Sequence, residues 1–179
     1  ESLVDAVHIS KAHGLLCAVR VAGDALCPSG PVPPADLGPA VMIDVDTRPC
    51  AITRDAIVRC WGPPQPGEPP PPPVNDVVEL ELGYGQGCLL DVSGTAHCWS
   101  GAVGSVGFAV PEGLRATTLS LNSRNGCGIR RAGGTICWGE DPSESALPEP
   151  GPWPGQVTIT PARLLETRPA PPTGTIDGR

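Results

Sequence analysis

Apolar and polar residues alternate over four short stretches of this 179-residue chain, and each stretch ends five to eight positions before a cysteine. A period of two is typical of a β-strand with one buried face. The pattern therefore predicts four strands, at 7–9, 41–45, 77–82 and 118–121.

A second regularity follows each strand: two cysteines come next, and the second lies ten positions after the first. If the cysteines oppose each other in a hairpin, a three-residue loop remains at the tip. Such loops usually combine a type I turn with a left-handed residue, most often glycine. Gly23, Gly94 and Gly133 occupy that last loop position in three hairpins, and Ala56 occupies it in the other. The cysteines then fall at a non-hydrogen-bonded pair, within reach of a disulfide.

Alternation within the hairpins predicts which way the cysteines point, because residues two positions apart share a face. The residues two after each first cysteine are all apolar: Val19, Ile52, Leu90 and Ile129. Their neighbours on the opposite face are mostly polar: Arg20, Thr53, Asp91 and Arg130. We therefore expect the cysteine face to be buried and the other face to meet water. Each unit holds about three strands and a Pro/Gly-rich connection.

Composition explains why the cysteines matter. Aromatic residues make up 3% of the chain, so a large aromatic core is excluded, and 23 glycines and 24 prolines accompany them. An even number of regularly spaced cysteines is typical of a disulfide framework formed in an oxidising compartment. Zinc sites favour cysteines two to four residues apart, and this chain has no such pair. We predict no metal or cofactor and four links within hairpins: Cys17–Cys27, Cys50–Cys60, Cys88–Cys98 and Cys127–Cys137.

The net charge of −7 argues against nucleic acid and anionic membranes as partners, since both repel an acidic surface. No stretch of 18 strongly apolar residues occurs, so membrane insertion is not expected. The chain starts at Glu1 without methionine, which is typical of a processed product. Because regularly spaced cysteines indicate an oxidising compartment, we expect a secreted or cell-surface protein.

The proline-rich connections divide the chain into units. We place one domain at 1–160 and a linker or tail at 161–179, whose last four residues resemble a protease-site scar. Five consecutive prolines at 69–73 predict a polyproline II connector. A last alternating stretch, Val-Thr-Ile-Thr at 157–160, predicts an extra strand without a hairpin. The predicted repeats within the domain are 1–38, 39–74, 75–113 and 114–154.

The cysteine spacing and two motifs resemble a known repeat. Corresponding cysteines are 33, 38 and 39 residues apart, Trp99 follows Cys98, and 125–139 has the sequence NGCGIRRAGGTICWG. Over 2–160 the chain resembles the regulator of chromosome condensation repeat, in the secreted cysteine-containing version of bacterial surface proteins and Crinkly-type receptor ectodomains. The resemblance implies an all-β fold, a β-propeller-like array of four disulfide-linked blades plus an extra C-terminal strand.

No motif of an enzyme emerges from the polar residues. The histidines, at positions 8, 13 and 97, belong to no nucleophile, base or metal pattern. Asp44 and Asp46 are interpreted as outward charges that guard an edge strand. The glycine-rich segment 83–87 is predicted to be a turn between two strands. Trp153 lies outside the repeat motif, among prolines, and is the candidate partner contact.

These observations favour a non-catalytic extracellular module that binds another protein or builds an assembly, including a homo-oligomer formed through its terminal strands. Two alternatives stay open. The resemblance also implies a secreted enzyme inhibitor, since a β-lactamase inhibitor protein shares the repeat type. A carbohydrate or small-molecule site in the connecting loops is the other, because loops on rigid scaffolds carry function.

Overall fold

The computed structural model describes residues 3–101 and 110–139, which belong to one compact unit. The described residues form strands and connections without a helix. The twelve strands are β1 (Ala6–Ala12), β2 (Leu15–Arg20), β3 (Ala25–Ser29), β4 (Ala40–Val45), β5 (Pro49–Thr53), β6 (Val58–Cys60), β7 (Val77–Gly83), β8 (Gln86–Asp91), β9 (Ala96–Ser100), β10 (Ala116–Leu121), β11 (Asn125–Arg130) and β12 (Thr135–Gly139).

The strands form four separate antiparallel sheets, each of three consecutive strands in chain order. We number these sheets as blades 1 to 4. The first strand of each blade begins one or two residues before, or at, the alternating stretch that predicted it. The prediction of an all-β array of four blades is confirmed. The expected C-terminal strand at 157–160 and Trp153 lie outside the described residues.

The hairpin tips have the expected backbone conformation. In blade 1 the amide N–H of Arg20 donates to the carbonyl of Asp24 over 3.0 Å, and that of Gly23 donates to the carbonyl of Arg20 over 2.8 Å. Gly23 adopts a φ of 97°. In blade 2 the same position is held by Ala56, which adopts a φ of 57°. A residue with a side chain is strained in this conformation, and glycine avoids that strain in the other blades.

The structure joins each cysteine to its partner ten residues away, with Cα–Cα distances of 4.0 or 4.1 Å. In blades 2, 3 and 4 the two cysteines are direct register partners. Blade 1 differs, because Leu16 pairs with Ser29 and Ala18 pairs with Leu26. Pro28 stands within this irregularity, and proline has no N–H to give to the ladder.

The blades pack face to face, so that both sides of each middle strand can be buried. Cys50 and Ile52 of blade 2 form one apolar cluster with Leu80, Leu89 and Trp99 of blade 3. The other two clusters join blades 1 and 2 and blades 3 and 4 in the same way.

This packing corrects the expectation that the face opposite the cysteines meets water. Thr53 is 3% exposed, and Ala51 and Leu89 are fully buried. The reason is that the opposite face of blades 2, 3 and 4 receives the cysteine face of the preceding blade. Alternation marked one buried face, and stacking of repeats buries the second.

The proline-rich connections before blades 2 and 3 lie against the blades. The indole N–H of Trp61 donates to the carbonyl of Pro31 over 3.0 Å. Prolines 70–73 line a cleft of about 460 Å³ together with Ile57 and Val58 of blade 2. The described residues contain no helix that could span a membrane.

Candidate functional site

Two features of the array are candidates for function: a polar row on the first strands, between neighbouring blades, and a surface rim of exposed valines. The first strand of each blade is an edge strand, so one of its two sides has no hydrogen-bonded strand within its own sheet. These strands are β1, β4, β7 and β10. Backbone N–H groups on such an edge need other acceptors. Side chains of the preceding blade supply them.

The fifth residue of each first strand is the repeated acceptor. The Ser10 hydroxyl accepts from the N–H of Val45 over 3.1 Å, and Asp44 Oδ2 accepts from the N–H of Leu82 over 2.7 Å. Glu81 accepts from the N–H of Leu121 in the same relative place. In each case the donor is the N–H of the sixth residue in the first strand of the following blade. This contact fixes the register between neighbouring blades.

Asp44 and Asp46 are therefore not outward charges, and that interpretation was wrong. Ser10 donates its hydroxyl proton to Asp44 Oδ1 over 2.6 Å, and burial raises the pKa of Asp44. Asp46 is 8% exposed, with Oδ1 3.1 Å from His13 Nε2, and burial raises its pKa too. Alternation along one strand does not show that the neighbouring blades contact these carboxyl groups.

Glu79 and Glu81 extend the polar row to blade 4. Glu79 Oε1 accepts from the N–H of Leu119 over 2.7 Å and from the Thr118 hydroxyl over 2.9 Å. Burial, together with the negative charges of Asp44 and Glu79, raises the pKa of Glu81 to about 7. Three carboxyl groups thus share the first strands of blades 2 and 3.

Glu81 should make stability depend on pH. Its pKa is higher in the folded chain than its ordinary value of 4.5, so the native state holds more protons between pH 4.5 and 7. Stability therefore falls as pH rises through this window. Glu81→Gln should remove this pH-dependent loss of stability. At pH 8 its free energy of unfolding should exceed that of wild type by about 1–2 kcal/mol, after allowance for solvent screening.

Urea unfolding at pH 4.5, 6 and 8 measures this difference. Glu112→Gln removes an exposed carboxyl group from the connection before blade 4 and is the matched control. Its unfolding curve should keep the wild-type pH dependence. If the stability of Glu81→Gln relative to wild type does not increase between pH 4.5 and 8, the raised pKa of Glu81 is contradicted.

The remaining polar candidates take structural positions. His97 Nε2 lies 3.0 Å from Asp91 Oδ2 across the third hairpin, and this contact lowers the pKa of Asp91. Gly83 ends β7, so the glycine-rich segment is the predicted turn between β7 and β8. Within 3–101 and 110–139, no three His, Cys, Asp or Glu side chains are placed to hold a metal ion.

The second feature begins at a bulge that recurs in every first strand. The register slips by one residue near the start of β1, β4, β7 and β10. The first residue of the strand then faces the core, and the second residue is turned to the surface. Ala40 is 2% exposed whereas Val41 is 50% exposed, and Val77 is 3% exposed whereas Val78 is 57% exposed.

In blades 1 and 3, the bulged valine lies near a second valine, which directly follows the second strand of the same blade. The N–H of Val21 donates to the carbonyl of Asp5 over 3.0 Å, and that of Val92 donates to the carbonyl of Asp76 over 2.9 Å. Both valines are at least as exposed as the bulged ones. We call this surface the valine rim and define it by Val7, Val21, Val41, Val78 and Val92.

The rim continues from blade to blade because the hairpin tip of each blade bonds the next first strand. The carbonyl of Gly23 accepts from the N–H of Ala40 over 2.8 Å, and that of Ala56 accepts from the N–H of Val77 over 3.1 Å. Each tip therefore lies beside the bulge of the following blade. Exposed apolar residues gathered in this way are characteristic of interaction surfaces.

Sequence reasoning missed the rim, although a signal was present. Three first strands begin with two consecutive apolar residues, Ala6-Val7, Ala40-Val41 and Val77-Val78. Two consecutive apolar residues break the alternation of a strand with one buried face. A β-bulge at this point allows one of the two to face the core while the other faces the surface. Trp153, the residue proposed as a partner contact, lies outside the described residues.

Comparison with known proteins places this architecture among the β-propeller repeat folds. No family model and no curated protein sequence matches the chain. Solved structures do match. The CRINKLY WD40 ectodomain of the Arabidopsis thaliana receptor kinase ACR4 is similar with 19% identity and a TM-score of 0.55, over 73% of this chain and 48% of that one.

Two further structures agree with this placement. The ectodomain of the Physcomitrella patens receptor kinase CR4 is similar with 23% identity and a TM-score of 0.57, over 73% of this chain and 40% of that one. A chain in the structure of Kap60 bound to yeast RCC1 (Prp20) is similar with 14% identity and a TM-score of 0.59, over 78% of this chain and 44% of that one. The present chain thus spans less than half the length of these structures, and the likeness establishes the propeller-type fold.

Proposed function

We propose that this chain is a non-catalytic, extracytoplasmic repeat module that binds another protein through the valine rim. The observation that carries the proposal is the exposure of the five rim valines, each at least 50% accessible, on blades that disulfides hold rigid. A preorganised apolar surface loses little conformational entropy when a partner covers it.

Location and partner class have separate support. Four disulfides favour an oxidising compartment. Two of the similar structures are receptor-kinase ectodomains, and the third was solved as a complex of two proteins. We also propose the repeat limits 1–38, 39–74, 75–113 and 114–154 within a domain at 1–160, followed by a tail at 161–179. Each described sheet lies inside one of these repeats. Trp153 remains a proposed additional contact.

Site-specific photocrosslinking tests the rim. A benzophenone amino acid at Val41 or Val78 should form a covalent adduct with the same protein when the chain is illuminated among the secreted and surface proteins of its source. Val32 is the control, because it is a still more accessible valine on the connection before blade 2 and is not one of the five rim residues. Mass spectrometry identifies the adduct.

The identity of the adduct decides among the functions. A structural or receptor protein supports the proposed module, whereas a secreted hydrolase that loses activity on binding would favour the enzyme inhibitor. Equal labelling at Val32 and at the two rim positions would refute the rim as a specific surface. Binding of a carbohydrate without any protein adduct would favour the small-ligand alternative.

A further inference from the structure

The three blade-to-blade interfaces of the described array repeat one design. Each blade offers its cysteine face, which holds the disulfide and the aliphatic residue two after the first cysteine. The next blade offers its first-strand face, centred on the fourth residue of that strand. Packing buries the aliphatic residues on both sides almost completely: Val19, Ile52 and Leu90 on cysteine faces, and Ile43, Leu80 and Leu119 on first-strand faces.

At the two ends of the described array, the equivalent residues of these faces are exposed. Ile129 corresponds to Val19, Ile52 and Leu90, which are each 1% exposed, yet Ile129 is 49% exposed. Ile9 corresponds to Ile43 and Leu80, which are fully buried, yet Ile9 is 58% exposed. Within the described residues, blade 4 therefore presents a half-exposed Ile129 on its cysteine face, and blade 1 presents an exposed Ile9 on its first-strand face, although Ala18, the register partner of Ile9, is buried. The two open faces are the two complementary halves of one interface.

The polar groups of the internal interface are also divided between these ends. Inside the array, the tip carbonyls of Gly23, Ala56 and Gly94 accept from the first residue of the next first strand over 2.8–3.1 Å. The equivalent carbonyl in blade 4 belongs to Gly133, whereas the equivalent N–H in blade 1, that of Ala6, donates to the carbonyl of Leu3 over 3.1 Å and would have to exchange that partner. Likewise, Ser120 is the fifth-residue acceptor of blade 4, and the N–H of Lys11 is the sixth-residue donor of blade 1.

We propose that two copies of this chain associate head to tail, with the cysteine face of blade 4 in one copy packed on the first-strand face of blade 1 in the other. The interface continues the internal repeat, so Ile129 meets Ile9 as Leu90 meets Leu119. It is heterologous, since two different surfaces come together. It also deepens the proposed function by naming a second copy as one partner, but it does not depend on the valine rim.

The rival occupant of blade 4 is the chain's own segment 156–160. In the sequence Ile159 follows Leu119 by 40 positions, close to the spacing of the earlier first strands, and Thr160 then aligns with Ser120. Pro161, however, takes the sixth place, where Leu82 and Leu121 donate their N–H groups, and proline has none. This segment would also leave Ile9 uncovered. A head-to-tail contact covers the blade 4 face of one copy and the blade 1 face of the other.

One difference weakens the intermolecular contact relative to the internal ones. Trp61, Trp99 and Trp138 each belong to the cluster between their blade and the preceding one, and Pro28 stands in the corresponding place of blade 1. Less apolar area is buried when this indole is missing. The association should therefore be reversible and should depend on protein concentration.

Mass measurement of two charge variants provides the test. Ile9→Glu blocks only the first-strand face and Ile129→Glu blocks only the cysteine face, and both side chains are accessible enough for the variants to fold. In 0.15 M salt, the wild type should exceed the monomer mass of 18.3 kDa as concentration rises, while each variant stays monomeric. Val92→Glu, on the rim, is the matched control and should associate like wild type.

Mixing the two variants is the decisive step. Ile9→Glu retains an intact cysteine face and Ile129→Glu retains an intact first-strand face, so an equimolar mixture should form a 1:1 dimer of twice the monomer mass. A mixture that stays monomeric, or a wild type that stays monomeric at every concentration, would overturn the proposal. So would a variant lacking 155–179 that associates when the full chain does not, because the tail would then occupy blade 4. Rim crosslinking can fail without affecting any of these results.

Discussion

Reduction of the four disulfides should unfold the described array at a temperature where the oxidised protein is native. Each link closes a loop across ten positions, which is worth roughly 2.5–3 kcal/mol in the chain-entropy model. Four links give an upper value of about 10 kcal/mol, comparable with the whole stability of a typical domain, about 5–15 kcal/mol. Few aromatic residues are present to replace that contribution, since they form 3% of the chain.

Thermal unfolding followed by circular dichroism, before and after reduction and alkylation, measures the effect. The oxidised protein treated with the alkylating agent alone is the control, and peptide mapping of it should recover the four ten-residue links. A midpoint that does not change on reduction would show that packing between blades, and not cross-linking, holds the fold.

The hairpins were predictable because their determinants are local. Cysteines ten apart and a glycine at the last loop position specify the register, the turn and the disulfide within a dozen residues. Even the less favourable Ala56 was placed correctly in the left-handed region. Such features depend on neighbours along the chain and not on the assembled array.

The errors arose where a neighbouring blade decides the environment. Asp44 sits on an alternating strand and was interpreted as an outward charge, but Leu82 of the next blade donates to it. Leu89 is buried by the cysteine face of blade 2, and the residue pattern within blade 3 does not predict this burial. Residue patterns in one repeat describe one sheet, whereas burial in a stacked array depends on two.

The bulge is a third case, and it has a direct consequence for mutations. Val77 and Val78 are chemically identical neighbours, and only the register slip decides that Val77 is 3% exposed and Val78 is 57% exposed. After the slip, alternation resumes and places Leu80 in the cluster between blades 2 and 3. A comparison of Leu80 with Val78 therefore tests both the bulge and the stacking.

Leu80→Ala should destabilise the protein by about 2–5 kcal/mol, because it removes a fully buried side chain and leaves a cavity between two blades. Val78→Ala is the matched control on the same strand and should change stability by less than about 0.5 kcal/mol, as surface substitutions usually do. Urea unfolding of the oxidised proteins gives both values, and the disulfides remain intact in each variant. Leu80 touches the cysteine face of blade 2, so its loss should weaken the contact between blades and not the hairpin itself. Equal effects at the two positions would mean that the strand lacks the bulge and that a different face meets blade 2.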